Sequence, residues 1–136
     1  MLPPQEAAIR LLESDPFHKA GLYGTVSLYR YPYSQAGEYN WQLKAHPYVA
    51  LCMDKKGKTP LRKETRPRHL EYYGKTKRCT GAGPILDAAL PEDDPKSVPV
   101  GSLVFFNAAT DTEARDTVEN DPYNEVGLFE SIFIAR

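Results

Sequence analysis

At 136 residues, 41% of them hydrophobic, the chain is long enough for one domain with a buried core, and its formal net charge of −1 argues against nucleic-acid binding by bulk attraction. No apolar run reaches the length of a membrane span, and Met1 to Glu6 has neither the basic and apolar regions of a secretory signal nor an Arg/Ser-rich transit character. Two cysteines, Cys52 and Cys79, exclude a disulfide scaffold, and the expected setting is the cytoplasm.

In chain order, Gln5 to Glu13 has apolar residues at 8, 9, 11 and 12 and predicts a short helix. Leu22 to Tyr31 predicts a strand bounded by Gly21, Gly24 and Pro32. Residues 32–46, with Tyr33, Tyr39 and Trp41, show no period and read as a connector. Tyr48 to Met53 is an apolar strand closed by Asp54 and a Lys-Lys-Gly-Lys turn, and Cys52 within it reads as core packing. Thr65 can cap a helix with Pro67 in its first turn, fraying near Gly74 to Lys77. Cys79 to Ala89, interrupted by Gly81, Gly83 and Pro84, predicts a bent or edge strand. Pro91 to Pro99 is a turn. Val100 to Asn107 predicts a strand whose Leu103-Val104-Phe105-Phe106 run reads as buried on both faces. Asp111 to Glu119 is a helix with an acidic start, Asn120-Asp121-Pro122 breaks it, and Leu128 to Ala135 is the last strand.

One segment occurs twice. Asp15-Pro16-Phe17-His18-Lys19-Ala20-Gly21-Leu22-Tyr23 returns without a gap as Asp121-Pro122-Tyr123-Asn124-Glu125-Val126-Gly127-Leu128-Phe129, and the register extends on to Arg30 and Arg136. Such a register marks a repeated unit, so residues 1–47 read as a partial repeat (helix and strand) plus connector, and residues 48–136 as the complete unit. From residue 48 the order is β-α-β-β-α-β, which predicts an α+β, ferredoxin-like sheet with both helices on one face. Its other face is left bare and apolar, so a homodimer packed face to face, a dimeric α/β barrel, is expected.

Charge is uneven: ten of the 17 basic residues lie between Lys55 and Arg78, while Asp87 to Glu130 carries eleven acids against Lys96 and Arg115. The basic block is either a solvated face or a wall for a small anionic ligand.

Residues 48–136 resemble the YCII-related family. Tyr48 to Asp54 is similar to its first strand with a terminal Asp, Arg66-Pro67-Arg68-His69-Leu70 to its R-x-x-H-L helix, and Gly83-Pro84 to its A-G-P strand. Gly101-Ser102-Leu103-Val104, then Asp121-Pro122-Tyr123, then Gly127-Leu128-Phe129-Glu130 are the most specific matches. The resemblance implies a dimeric α+β barrel with an active site around His69 and Asp121. The partial repeat has no R-x-x-H-L before it, so Asp15 has no histidine of its own unit.

Each candidate has two readings. His69 is either an exposed helical residue or a general acid/base, since a neutral imidazole can take a proton and return it elsewhere. Asp121 before Pro makes an Asx turn, a role compatible with orienting an imidazole. Asp54 is a strand-end cap or a substrate contact. Arg66 is a solvated arginine or a bidentate partner for a carboxylate or enolate. His18, His46 and His69 lack metal-ligand spacing with one another or with the cysteines, and Gly81-Ala82-Gly83 lacks the rest of a dinucleotide fingerprint, so neither metal nor cofactor is expected. Two functions remain: a cofactor-independent lyase or isomerase acting on an anionic cyclic or enolisable molecule, or a non-catalytic dimeric module for ligand binding or assembly.

Overall fold

The computed structural model describes residues 4–32, 45–91 and 93–136. The elements are α1 (Pro4–Ser14), α2 (Pro16–Lys19), β1 (Tyr29–Arg30), β2 (His46–Asp54), α3 (Thr59–Thr76), β3 (Cys79–Asp87), β4 (Pro99–Ala108), α4 (Asp111–Glu119), α5 (Pro122–Glu125) and β5 (Phe129–Ala135). Most of the expected connector, with Tyr33, Tyr39 and Trp41, lies outside the described residues.

The strands form one sheet in the order β1-β3-β4-β2-β5, with every neighbouring pair antiparallel. From β2 onward this is the ferredoxin-like α+β arrangement. The connections β2-α3-β3 and β4-α4-α5-β5 each step over one strand, which joins parallel strands through helices on one face. In the central pair, Tyr48 lies opposite Phe106, Ala50 opposite Val104 and Cys52 opposite Ser102. These residues are all buried and, Ser102 apart, form the core with Ala114, Val118 and Leu128.

The alternate positions point the other way. Phe105 is 38% exposed and Phe133 64%. The Leu103 to Phe106 run is therefore not buried on both faces of the sheet. It alternates, and its outward half belongs to the open side of the sheet.

Two glycines permit close approach. A Cβ at Gly101 would collide with the Cys52 carbonyl oxygen, so the central strand pair needs glycine there. At Gly83 a Cβ would lie 2.6 Å from the Pro32 carbonyl oxygen and 2.9 Å from the Tyr31 ring, because the N-terminal segment crosses β3 at that point. The Tyr31 ring also meets Phe105 edge-on at 6.3 Å.

Two expected boundaries are corrected. The helix expected from Thr65 begins at Thr59, with Pro60 in its first turn and Pro67 in its interior. Pro67 removes one backbone donor, but the residue is exposed, so water can reach the carbonyl left over. What fixes the longer helix is the buried strip Arg62, Thr65, His69 and Tyr73. The strand expected over residues 22–31 shrinks to Tyr29–Arg30, which pairs with Leu86 and Asp87 on the outer edge of β3.

The two copies of the repeated segment make the same local bonds. Asp15 accepts the Phe17 amide at 2.8 Å, and Asp121 accepts the Tyr123 amide at 2.9 Å. The Leu22 amide donates to the Phe17 carbonyl at 3.0 Å, as Leu128 does to Tyr123. Gly21 and Gly127 take φ of 69° and 74°, the left-handed conformation that glycine adopts freely. Phe17 meets Tyr23 edge-on at 6.3 Å, and Tyr123 meets Phe129 edge-on at 5.9 Å.

Their surroundings are opposite. Tyr123 and Leu128 are 1% and 0% exposed, whereas Phe17 and Leu22 are 59% and 65% exposed. The local turn is encoded in the segment itself, and burial comes only where β2, α3 and β4 lie against it.

Candidate active site

His69 sits on α3, two turns after Arg62, on the strip that faces the sheet. Its Nδ1 lies 2.9 Å from Oδ1 and 3.0 Å from Oδ2 of Asp121, and both side chains are buried. Asp121 reaches this position because it caps α5: its Oδ1 also accepts the Tyr123 amide, so the carboxylate is fixed by its own turn. The imidazole stacks on the Tyr123 ring at 4.0 Å between centroids and meets Tyr73 edge-on at 5.1 Å. A ring held on two sides and at one nitrogen has one orientation. With Nδ1–H donated to the carboxylate, Nε2 is the nitrogen free to exchange a proton.

A cavity of about 400 Å³ opens beside His69 between α3 and β3. Its wall is apolar at Leu70, Tyr73, Cys79, Ala82, Pro84 and Tyr123, and cationic at Arg62, Lys63 and Arg66. No carboxylate lines it among the described residues. Lys63 and Arg66 are exposed and make no ion pair among the described residues, so the mouth carries uncompensated positive charge.

Asp54 is placed differently from the expectation. It does not line the cavity but lies behind Arg62, whose Nη1 donates to Asp54 Oδ2 at 2.8 Å. A register shift between Met53 and Asp54 in the β2–β5 ladder brings Asp54 opposite Phe129 on the helical side of the sheet. Burial raises the Asp54 carboxyl above its ordinary value, and the Arg62 charge and hydrogen bond offset only part of the rise. The second Arg62 nitrogen donates to Ser102 Oγ at 2.8 Å, and the guanidinium lies 4.8 Å from the centre of the Tyr123 ring.

The family model of the YCII-related domain matches residues 47–136. The chain belongs to the YCII-related domain family. Among solved structures, this YCII-related chain is similar to 5-chloro-2-hydroxyhydroquinone dehydrochlorinase (TftG) from Burkholderia phenoliruptrix AC1100 in complex with 2,5-dihydroxybenzoquinone. The two are 27% identical with a TM-score of 0.59, and the match covers 67% of this chain and 92% of that one. No curated protein matches the chain.

Sequence reasoning had placed Arg62 only within a basic block. The signal that could have found it is its spacing: seven residues before His69, it falls on the same side of a helix. Cys52 lies under the same residues but is not reactive. Burial first, then the Asp121 and Asp54 charges, push its thiol up to about 12 against the opposing Arg62 charge, which keeps it protonated at neutral pH. Among the described residues no group of three or more His, Cys, Asp and Glu is placed to hold a metal ion, and no helix is long and apolar enough to cross a membrane.

Proposed function

We propose that this YCII-related protein is a cofactor-independent enzyme of the lyase or isomerase type, in which His69 is the general acid/base and Asp121 orients it. The observation that carries this reading is the contact of His69 Nδ1 with both Asp121 oxygens on the wall of a cavity. Nε2 takes a proton from a hydroxyl or an acidic carbon of the substrate, and the electron pair released expels a leaving group or moves to a neighbouring carbon. The imidazolium, stabilised by Asp121, then returns the proton or loses it to solvent. Every step is a proton transfer or an elimination, so no redox partner is called for.

The substrate class follows from the wall. Apolar and aromatic surfaces suit a flat ring, and Arg66 and Lys63 draw an anion to the mouth. The likeness to TftG, described as a dehydrochlorinase of a hydroxyhydroquinone, supports a cyclic, anionic, enolisable substrate. Asp54 contributes through Arg62 rather than by touching the substrate.

Two further parts of the proposal concern setting. The functional unit is a homodimer closed through the open sheet face, supported by the outward Phe105 and Phe133. The compartment is the cytoplasm, where the free, buried thiols Cys52 and Cys79 stay reduced.

The test is chloride release from 5-chloro-2-hydroxyhydroquinone by the wild-type protein and by His69→Gln. Removing a positioned general base lowers the rate by about 10²–10⁴. Equal rates in the two proteins, or no rate above buffer for the wild type, would overturn the reading.

A further inference from the structure

Arg62 is a buried cation on the wall of the proposed substrate cavity, with donors that have no hydrogen-bond partner among the described residues. Its side chain is 8% exposed, and a guanidinium has five N–H donors. Two bonds are made, to Asp54 and Ser102, and no other hydrogen-bond partner is found among the described residues. The fork is held from three sides: Asp54, Ser102 and the Tyr123 ring. A guanidinium held in this way cannot swing out to solvent, and it lines the cavity.

A purely structural ion pair would not need this arrangement. Such a pair buried in a core is often replaceable by apolar side chains without loss of stability. This one is set into a cavity wall that has no carboxylate of its own, within reach of the ring on which His69 stacks. Arg62 also differs from Arg66 and Lys63. They are exposed charges, which salt screens, whereas Arg62 is shielded and oriented.

We infer that Arg62 is the fixed oxyanion contact of the substrate, binding an enolate, phenolate or carboxylate oxygen through its free N–H groups, with Asp54 and Ser102 as positioning residues. The inference rests on the proposed reading of the cavity as a site for an anionic ring. It assigns separate tasks to the cations: Lys63 and Arg66 attract, and Arg62 orients relative to His69.

The experiment titrates the full chain with 2,5-dihydroxybenzoquinone, a ring that is anionic at neutral pH, at low and at high salt. The first variant is Arg62→Gln with Asp54→Asn, which removes both charges and leaves neither buried alone. Its affinity is expected to fall roughly tenfold to hundredfold at both salt concentrations, the usual worth of a hydrogen bond to a charged group. Arg66→Gln is expected to weaken binding at low salt only, and Arg68→Gln, which pairs with Glu125 away from the cavity, to change nothing. A folded double variant that binds like wild type overturns the role of Arg62. Failure of the wild type to bind overturns the anionic-ring reading itself, and the inference with it. If the double variant does not fold, Ser102→Ala decides: it frees one arm of the fork and should weaken binding, and unchanged affinity overturns the proposal.

Discussion

Asp15 and Asp121 make the same turn but meet different partners. Each caps a one-turn helix by accepting the amide two residues ahead, at 2.8 Å and 2.9 Å. Asp121 also meets His69 Nδ1, whereas Asp15 Oδ2 accepts the Tyr23 hydroxyl at 3.1 Å. The turn is thus separable from the chemistry proposed for it.

That separation gives a clean substitution. Asparagine caps helices about as well as aspartate, so Asp121→Asn should keep the α5 turn. It replaces the carboxylate beside the imidazole with a neutral amide. The turnover of the chloride-release assay should fall on the order of 10²–10⁴-fold with the thermal midpoint little changed, while Asp15→Asn should leave turnover as it is. Full activity in Asp121→Asn would remove Asp121 from the mechanism.

The opposite burial of the repeated segments can be measured in pairs. Leu128→Ala removes a fully buried side chain and should cost about 2–5 kcal/mol. Leu22→Ala, at the equivalent position but 65% exposed, should stay within about 0.5 kcal/mol. Urea denaturation of the two variants checks this, and similar losses in both would show that the turn over residues 15–23 has a packed partner.

Two glycine substitutions should act in opposite directions. Gly101→Ala forces β4 away from the Cys52 carbonyl and should destabilise by about 1–3 kcal/mol. Gly74→Ala, within α3 and with nothing within 4 Å of its Cβ, should stabilise by about 0.5–1 kcal/mol. Thermal midpoints of the two variants read both effects.

Cys52 makes a prediction about alkaline pH. Its thiol is raised from an ordinary 9.0 to about 12. Above pH 9 the unfolded chain loses this proton while the folded chain keeps it, so the native state binds more protons. The associated stability is fully present below about pH 9 and is lost as the pH rises towards 12. Native protein at pH 8 should resist iodoacetamide at Cys52, and rapid alkylation there would contradict the burial.

The open sheet face is expected to join two protomers. Sedimentation of the wild type at micromolar concentration should give a dimer, and Phe133→Asp should give a monomer. A monomeric wild type would remove this part of the proposal.

Much of the fold was legible because β2, β4 and β5 are apolar runs bounded by turn residues and the Asp-Pro-aromatic turn is encoded locally. The start of α3 was not. Its buried strip is Arg62, Thr65, His69 and Tyr73, so no apolar stripe announces the helix, and Pro67 in its interior reads like a first-turn proline. The same polarity concealed Arg62, which looked like one basic residue among ten. His69 and Asp121 were found through motif resemblance, and their separation of 2.9 Å depends on α3 and α5 being brought together by the sheet, which no local pattern states. The expected strand over 22–31 failed for a related reason. Its apolar alternation copies β5, but the neighbour β5 uses, β2, is already paired on both sides, so only Tyr29 and Arg30 find an edge.

At Gly83 the backbone of β3 both lines the cavity and meets the Tyr31-Pro32 segment. The N-terminal segment is therefore in contact with a residue of the pocket wall. A side chain at position 83 would have to displace the Pro32 carbonyl and the Tyr31 ring, and so disturb the segment that follows β1. A segment remote from the chemistry in sequence thereby becomes part of the container in which it takes place.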